Sequence, residues 1–244
     1  MAALALLVAL PARAQQVVSA NTVGYTKLTL QPGLNMIGNQ FLGVGTTGFQ
    51  NINKMFVESS QITPGYDDGE ADSILRWTGN GYGEIYYYDE FDSAWESVDE
   101  PGVVASTTVN PGEGVWYKCL SDEPITTMLA GEVPTNLTYT VEIQTGLNFV
   151  ANPFPSAICP NSENFTVEGV VAGMDDGEAD SILKWTGSGY GEIYYFDDMD
   201  TAWESVDEPG VVINSNIIDP AKGFWYKHQG SGAVLTFKRP YAIP

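Results

Sequence analysis

Two groups of carboxylates, each present twice, are the residues best suited to chemistry in this chain. The first is Asp67, Asp68, Glu70 and Asp72, matched by Asp175, Asp176, Glu178 and Asp180. The second is Asp89, Asp92, Glu96, Asp99 and Glu100, matched by Asp197, Asp200, Glu204, Asp207 and Glu208. Carboxylate and carbonyl oxygens crowded on loops are what a hard cation such as calcium takes as ligands. Calcium is therefore the candidate cofactor, with a solvated acidic loop as the alternative. The EF-hand pattern fails: read from Asp68, Ser73 stands where the loop needs Gly and Gly79 where it needs Glu.

Other chemistries find less support. The single histidine, His228, has Cys119 as its counterpart in the other copy, so no histidine-based nucleophile system occurs twice. The His and Cys clusters of a zinc site are missing, as are the glycine-rich phosphate loops. Carboxylate pairs serve glycoside hydrolysis, but with 31 acids in the chain some pair always has a suitable spacing. The expectation is a protein that is not an enzyme.

These acids sit in an internal repeat. The stretch DDGEADSILRWTGNGYGEIYYYDEFDSAWESVDEPGVV begins at Asp67 and returns at Asp175 with six of 38 positions changed, each mildly. Outside it the match loosens but continues. Gly33-Leu34-Asn35 pairs with Gly146-Leu147-Asn148, and Trp116-Tyr117-Lys118 with Trp225-Tyr226-Lys227. A repeat of this length defines the architecture. It predicts two modules, 22–133 and 134–244, each large enough for its own core. The join, GEVPTN, is too short for a free tether, so the modules are expected to touch.

The formal net charge is −21, and each repeated block holds eleven carboxylates against one base. The acidity thus belongs to the repeat. Such a field argues against nucleic acid and anionic lipid as partners. The N-terminus, MAALALLVALPARA, reads as a signal peptide over 1–14 cleaved near Ala14, too short for a membrane span. The expected location is secreted or cell-surface. In an oxidising compartment Cys119 and Cys159 are candidates for one bridge across the join, which would stabilise the fold by roughly 3–4 kcal/mol in the chain-entropy model; two unrelated thiols are the alternative.

The elements that position the acids read as strands. Alternation in GYGEIYYYDEF puts Ile85 and Tyr87 on one face and Glu84, Tyr86 and Tyr88 on the other. Tyr88 becomes Phe196 and Phe91 becomes Met199, which reads as packing at both positions. The best helical signal is NINKMF, with Ile52, Met55 and Phe56 on one face. The six tryptophans form repeat pairs: Trp77 with Trp185, Trp95 with Trp203, Trp116 with Trp225. Core packing is the plain reading of each. Trp95 and Trp203, set among carboxylates, are the candidates for stacking on a glycan.

The motif Gly33, Asn35, Asn39, Phe41, then Trp77, then Pro111, Gly112, Gly114, Trp116, Tyr117 resembles secreted β modules of bacterial surface proteins, as in Verrucomicrobia and Lentisphaerae. The second module matches with Gly146, Asn148, Asn152, Phe154, Trp185, Gly223, Trp225 and Tyr226, departing at Ala221-Lys222. The resemblance implies a compact β fold and export, and no catalytic residue.

The expected fold is all-β: two tandem homologous antiparallel sandwich- or barrel-like modules with pseudo-twofold repeat symmetry. The expected function is an exported structural subunit of an extracellular filament or surface layer that self-associates, calcium-stabilised where the acidic loops take the ion. Lys238 and Arg239 are its candidate assembly contact, meeting an acidic block of the next subunit. The alternative is a carbohydrate-binding protein with two glycan sites.

Overall fold

The computed structural model describes residues 22–45, 50–56 and 60–242. The expected signal peptide lies outside these. The first module contains β1 (Val23–Leu30), β2 (Gly33–Gly38), α1 (Ile52–Met55), β3 (Ser73–Trp77), β4 (Tyr82–Tyr88), β5 (Trp95–Ser97), β6 (Glu100–Val104), β7 (Gly114–Cys119) and β8 (Ile125–Glu132). The second contains β9 (Thr138–Ile143), β10 (Gly146–Ala151), β11 (Phe165–Glu168), β12 (Ser181–Trp185), β13 (Tyr190–Phe196), β14 (Trp203–Ser205), β15 (Glu208–Val212), β16 (Gly223–His228) and β17 (Ala233–Lys238). Among the described residues no helix is long and apolar enough to cross a membrane.

The fold is all-β and antiparallel. Each module has a six-stranded sheet, in the order β2-β7-β3-β4-β5-β6 and, in the second, β10-β16-β12-β13-β14-β15. A smaller sheet faces it: β1-β8 in the first module, β11-β17-β9 in the second. Period-two patterning explains the layers. In β8 the residues alternate buried and half-buried along their length, so one face turns to the core. Leu28, Leu30, Ile125 and Leu129 of the small sheet meet Ile37, Ile74, Val115 and Tyr117 of the large one in a single core cluster. The second module repeats this with Ile143, Leu235 and Phe237 against Val150, Ile182 and Tyr226. The helix α1 buries Ile52 and Met55 and is capped by Asn51, whose side chain accepts from Asn53 N.

The outer faces of the two large sheets meet each other. Met36, Trp116, Phe149 and Trp225 are buried there, with Leu75, Trp77, Leu183 and Trp185 packed against them. The contacts come as exchanged pairs. Trp77 packs on Trp225 and, by exchange, Trp185 on Trp116. Gly38 N donates to Ala221 O at 3.2 Å, and Ala151 N to Gly112 O at 2.9 Å. This is the signature of an isologous two-fold contact, here within one chain. The close approach depends on Gly38: a Cβ there would lie 2.1 Å from that of Ala151. The symmetry is imperfect. Trp185 Nε1 donates to Leu34 O at 2.8 Å, whereas the buried Trp77 Nε1 has no partner.

Several sequence expectations are corrected here. Trp95 and Trp203 are 1% and 3% exposed. Trp95 lies in the core among Phe56, Tyr88 and Tyr117, and Trp203 among Phe165, Phe196 and Tyr226. No sugar ring can reach either face, so the glycan platform is lost. Cys119 and Cys159 are free thiols. Cys119 belongs to the first core cluster, while the Cys159 thiol donates to Ile213 O in the second module. Phe91 and Met199 do not pack in a core; they are 81% and 80% exposed. Arg239 is committed within the chain: its Nη1 donates to Thr135 O at 2.6 Å and its Nε to Tyr241 O at 3.0 Å. It therefore clamps the C-terminal segment to the module join. Of the expected assembly pair, Lys238 alone is exposed.

Candidate functional site

The first acidic group does not converge on one point, because its members have separate structural duties. Asp67 Oδ1 accepts from Gly69 N and Glu70 N, closing its own turn, and Asp175 does the same with Gly177 and Glu178. Asp72 is fully buried and serves as the hub beneath the large sheet. It accepts from Tyr117 OH at 2.7 Å, Leu120 N at 2.7 Å and Thr63 N at 3.2 Å. Asp180 copies this with Tyr226 OH and Gln229 N, and adds His228 Nδ1 at 2.9 Å where the first module has Cys119. Asp68 and Asp176 contribute backbone carbonyls, which accept from Lys118 and Lys227. Glu70 and Glu178 are exposed.

The second group does converge, in part. Asp89, Asp92 and Glu96 each bring a carboxylate oxygen within 4.8 Å of the others, and so do Asp197, Asp200 and Glu204. Asp99, Glu100, Asp207 and Glu208 are exposed and lie outside these trios. The local chain explains the geometry. Asp89 follows β4 and turns the backbone: its Oδ1 accepts from Phe91 N at 2.7 Å and Asp92 N at 2.9 Å, and its N donates to Ala94 O. Ser93 takes a left-handed φ of 49° to complete the reversal into β5. There Glu96 is buried at 1% exposure, and its Oε2 accepts from Tyr87 OH at 3.1 Å and Gly102 N at 2.6 Å. The other oxygen, Oε1, is buried with no donor, and Oε1 of Glu204 is the same. Tyr87 is pushed up to about 12 by burial and by its bond to Glu96.

A difference between the two halves at the module contact escaped the sequence reading. In the first module Arg76 pairs with Glu113 at 2.6 Å and Glu84 at 2.7 Å. The equivalents of Arg76 and Glu113 are Lys184 and Lys222, two like charges. Lys184 turns to Glu192 at 2.9 Å and Asp219 at 3.5 Å. Asp219 replaces Asn110, so one charge change accompanies the other. A cavity of about 250 Å³ lies at the module contact, lined in part by Lys184, Lys222, Trp185 and Asn35. Burial, with Lys184 nearby, lowers the Lys222 pKa despite the opposing pull of Asp219. The swap was visible in sequence as Asn110→Asp and Glu113→Lys between copies; only the fold shows that both meet Lys184.

Among solvent-facing residues the acidic loops carry an apolar pair. Tyr66 and Phe91 touch with ring centroids 5.4 Å apart and are 56% and 81% exposed. Their counterparts Met174 and Met199 are 68% and 80% exposed. No protein-family model matches this chain, and neither a curated protein nor a solved structure matches it.

Proposed function

We propose that this chain is an exported, non-enzymatic structural subunit that works by contact and associates with copies of itself. The observation that carries the reading is the pair of exposed apolar positions on the acidic loops. Phe91 becomes Met199 and Tyr66 becomes Met174, so shape has drifted while apolar character has stayed. Each stands largely in solvent; Tyr66 and Phe91 touch each other, and none of the four belongs to a buried core cluster. We read exposed apolar side chains kept at the same loop positions in both copies as a contact for another molecule.

The internal two-fold contact supports the same reading. It locks the modules face to face and places one such loop on each, so the chain is bivalent. A bivalent surface that meets its own kind extends into a polymer, because each added copy leaves one loop open. The net charge of −21 opposes this association, so growth depends on counter-ions at the acidic loops. The resemblance of the Gly33–Phe41 and Trp116-Tyr117 motifs to exported bacterial surface modules supports an extracellular setting.

The test is sedimentation velocity on the mature chain across concentration, with calcium and with chelator. Species larger than a monomer are expected with calcium, shifting to monomer in Phe91→Ser/Met199→Ser. Both residues are exposed, so the variant keeps its fold. A wild-type monomer at every concentration in both conditions overturns self-association.

A further inference from the structure

We propose that each module binds one hard divalent cation, calcium by its ligand chemistry, between Asp89, Asp92 and Glu96 and again between Asp197, Asp200 and Glu204. Calcium–oxygen bonds are about 2.3–2.6 Å, so oxygens on one ion stand up to about 5 Å apart. The three oxygens of each trio lie within 4.8 Å of one another, inside that limit. Three carboxylates so close repel one another unless a cation or protons intervene. Among the described residues no lysine, arginine or histidine forms an ion pair with any of the six.

The second observation is independent of the crowding. Glu96 and Glu204 are 1% and 0% exposed, and in each Oε1 is buried with no hydrogen-bond donor. An unpaired carboxylate oxygen out of water is among the most costly arrangements a fold can hold. In each residue Oε2 is occupied by a tyrosine hydroxyl and a glycine N–H. That fixes the carboxylate and leaves Oε1 for a ligand.

Differences between the copies point the same way. Three of the six changed positions in the repeated block are 90, 91 and 93, interleaved with the ligands. The loop has drifted between its carboxylates while Asp89, Asp92 and Glu96 recur as Asp197, Asp200 and Glu204. The donors are all carboxylate oxygen, which favours a hard cation over a soft or zinc-type one. The irregular turn, with one exposed and two buried carboxylates, suits the variable coordination of calcium better than the strict octahedron of magnesium. Calcium would tie the loop that presents Phe91 to β5 and, through Gly102, to the edge strand β6. The site rests on the trio geometry and not on self-association.

Titration calorimetry on the whole chain, stripped with chelator and titrated with calcium chloride, is expected to show two equivalents bound, in the roughly 0.1–1 mM range of extracellular calcium modules. Glu96→Gln should remove one equivalent and Glu96→Gln/Glu204→Gln both. Because Glu96 also anchors Tyr87 and Gly102, Asp92→Asn/Asp200→Asn supplies a second arm at exposed positions, where affinity should fall roughly tenfold or more. Absence of saturable uptake at millimolar calcium overturns the proposal. So does unchanged stoichiometry and affinity in both double variants, which would place the ion at another acidic group. Equal affinity for magnesium overturns the assignment to calcium. Calorimetry reads ion binding and sedimentation reads assembly, so either proposal can fail alone.

Discussion

Trp77 of the first module stands edge-on to Trp225 of the second, with ring centroids 5.1 Å apart and planes at 82°. The exchanged pair, Trp116 and Trp185, repeats this at 5.3 Å and 88°. Edge-to-face rings place the positive rim of one indole on the negative face of the other. Phe149 lies between Trp116 and Trp225, at 5.6 Å and 4.6 Å. The two modules are thus joined by an aromatic core of their own.

Removing one ring should therefore uncouple the modules. Trp225 is 3% exposed, so Trp225→Ala should cost about 3–5 kcal/mol. The loss should appear in urea denaturation as a split into two transitions, since each module keeps its own core. A single transition with a loss under about 1 kcal/mol, the scale of an ordinary surface change, would count against the interface.

Alkaline pH should unfold the protein through its buried phenols. Burial raises the pKa of Tyr117 and Tyr226 far above the ordinary 10.0, reinforced by Asp72 and Asp180. Tyr194 is pushed to about 12, by burial first and then by Glu192. In each case the native state holds its proton to higher pH than the unfolded state does. The associated stability is complete below pH 10 and is lost as pH rises above it. The phenol contribution to the urea midpoint should fall as pH rises from 10 to about 12. Phenolate absorbance from the last tyrosines should appear together with loss of the β circular-dichroism signal. Full ionisation while that signal stays intact would contradict the burial argument.

The like-charged Lys184 and Lys222 at the module contact invite a repair. Lys222→Glu with Asp219→Asn would reproduce at Lys184 the acidic partner that Glu113 provides to Arg76. The pair is partly exposed, so a gain of about 0.5–1 kcal/mol in urea stability is expected. A loss of stability would show that the two lysines are held there for a purpose that pairing defeats.

Much of the fold was legible because the repeat supplied an internal comparison. Alternation in Tyr82–Tyr88 gave aromatics on both faces, and both are buried: Tyr86 and Tyr88 in the module core, Tyr87 against Glu96. The change of Tyr88 to Phe196 announced a dispensable hydroxyl, and Tyr88 packs edge-on to Trp95. Phe91 misled because apolar drift looks the same in a core and on a contact surface; only exposure separates them. Trp95 misled because its acidic sequence neighbours lie on the opposite face of a strand, so adjacency in the chain was not adjacency in space. The first acidic group looked as metal-like as the second. Asp72 left it because Tyr117, 45 residues away, claimed its oxygen.

What the amino-acid order determined alone is the list of parts: two copies of a strand-rich module, an acidic charge confined to them, and paired tryptophans. These follow from local periodicity and composition, which need no knowledge of the path. The tertiary structure decided which faces meet, which carboxylates stay free, and which apolar groups remain in water. Those outcomes depend on the sheets pressing together at Gly38 and Ala151 and on hydrogen bonds spanning dozens of residues, and no local pattern encodes a distance between strands that the chain brings together only on folding.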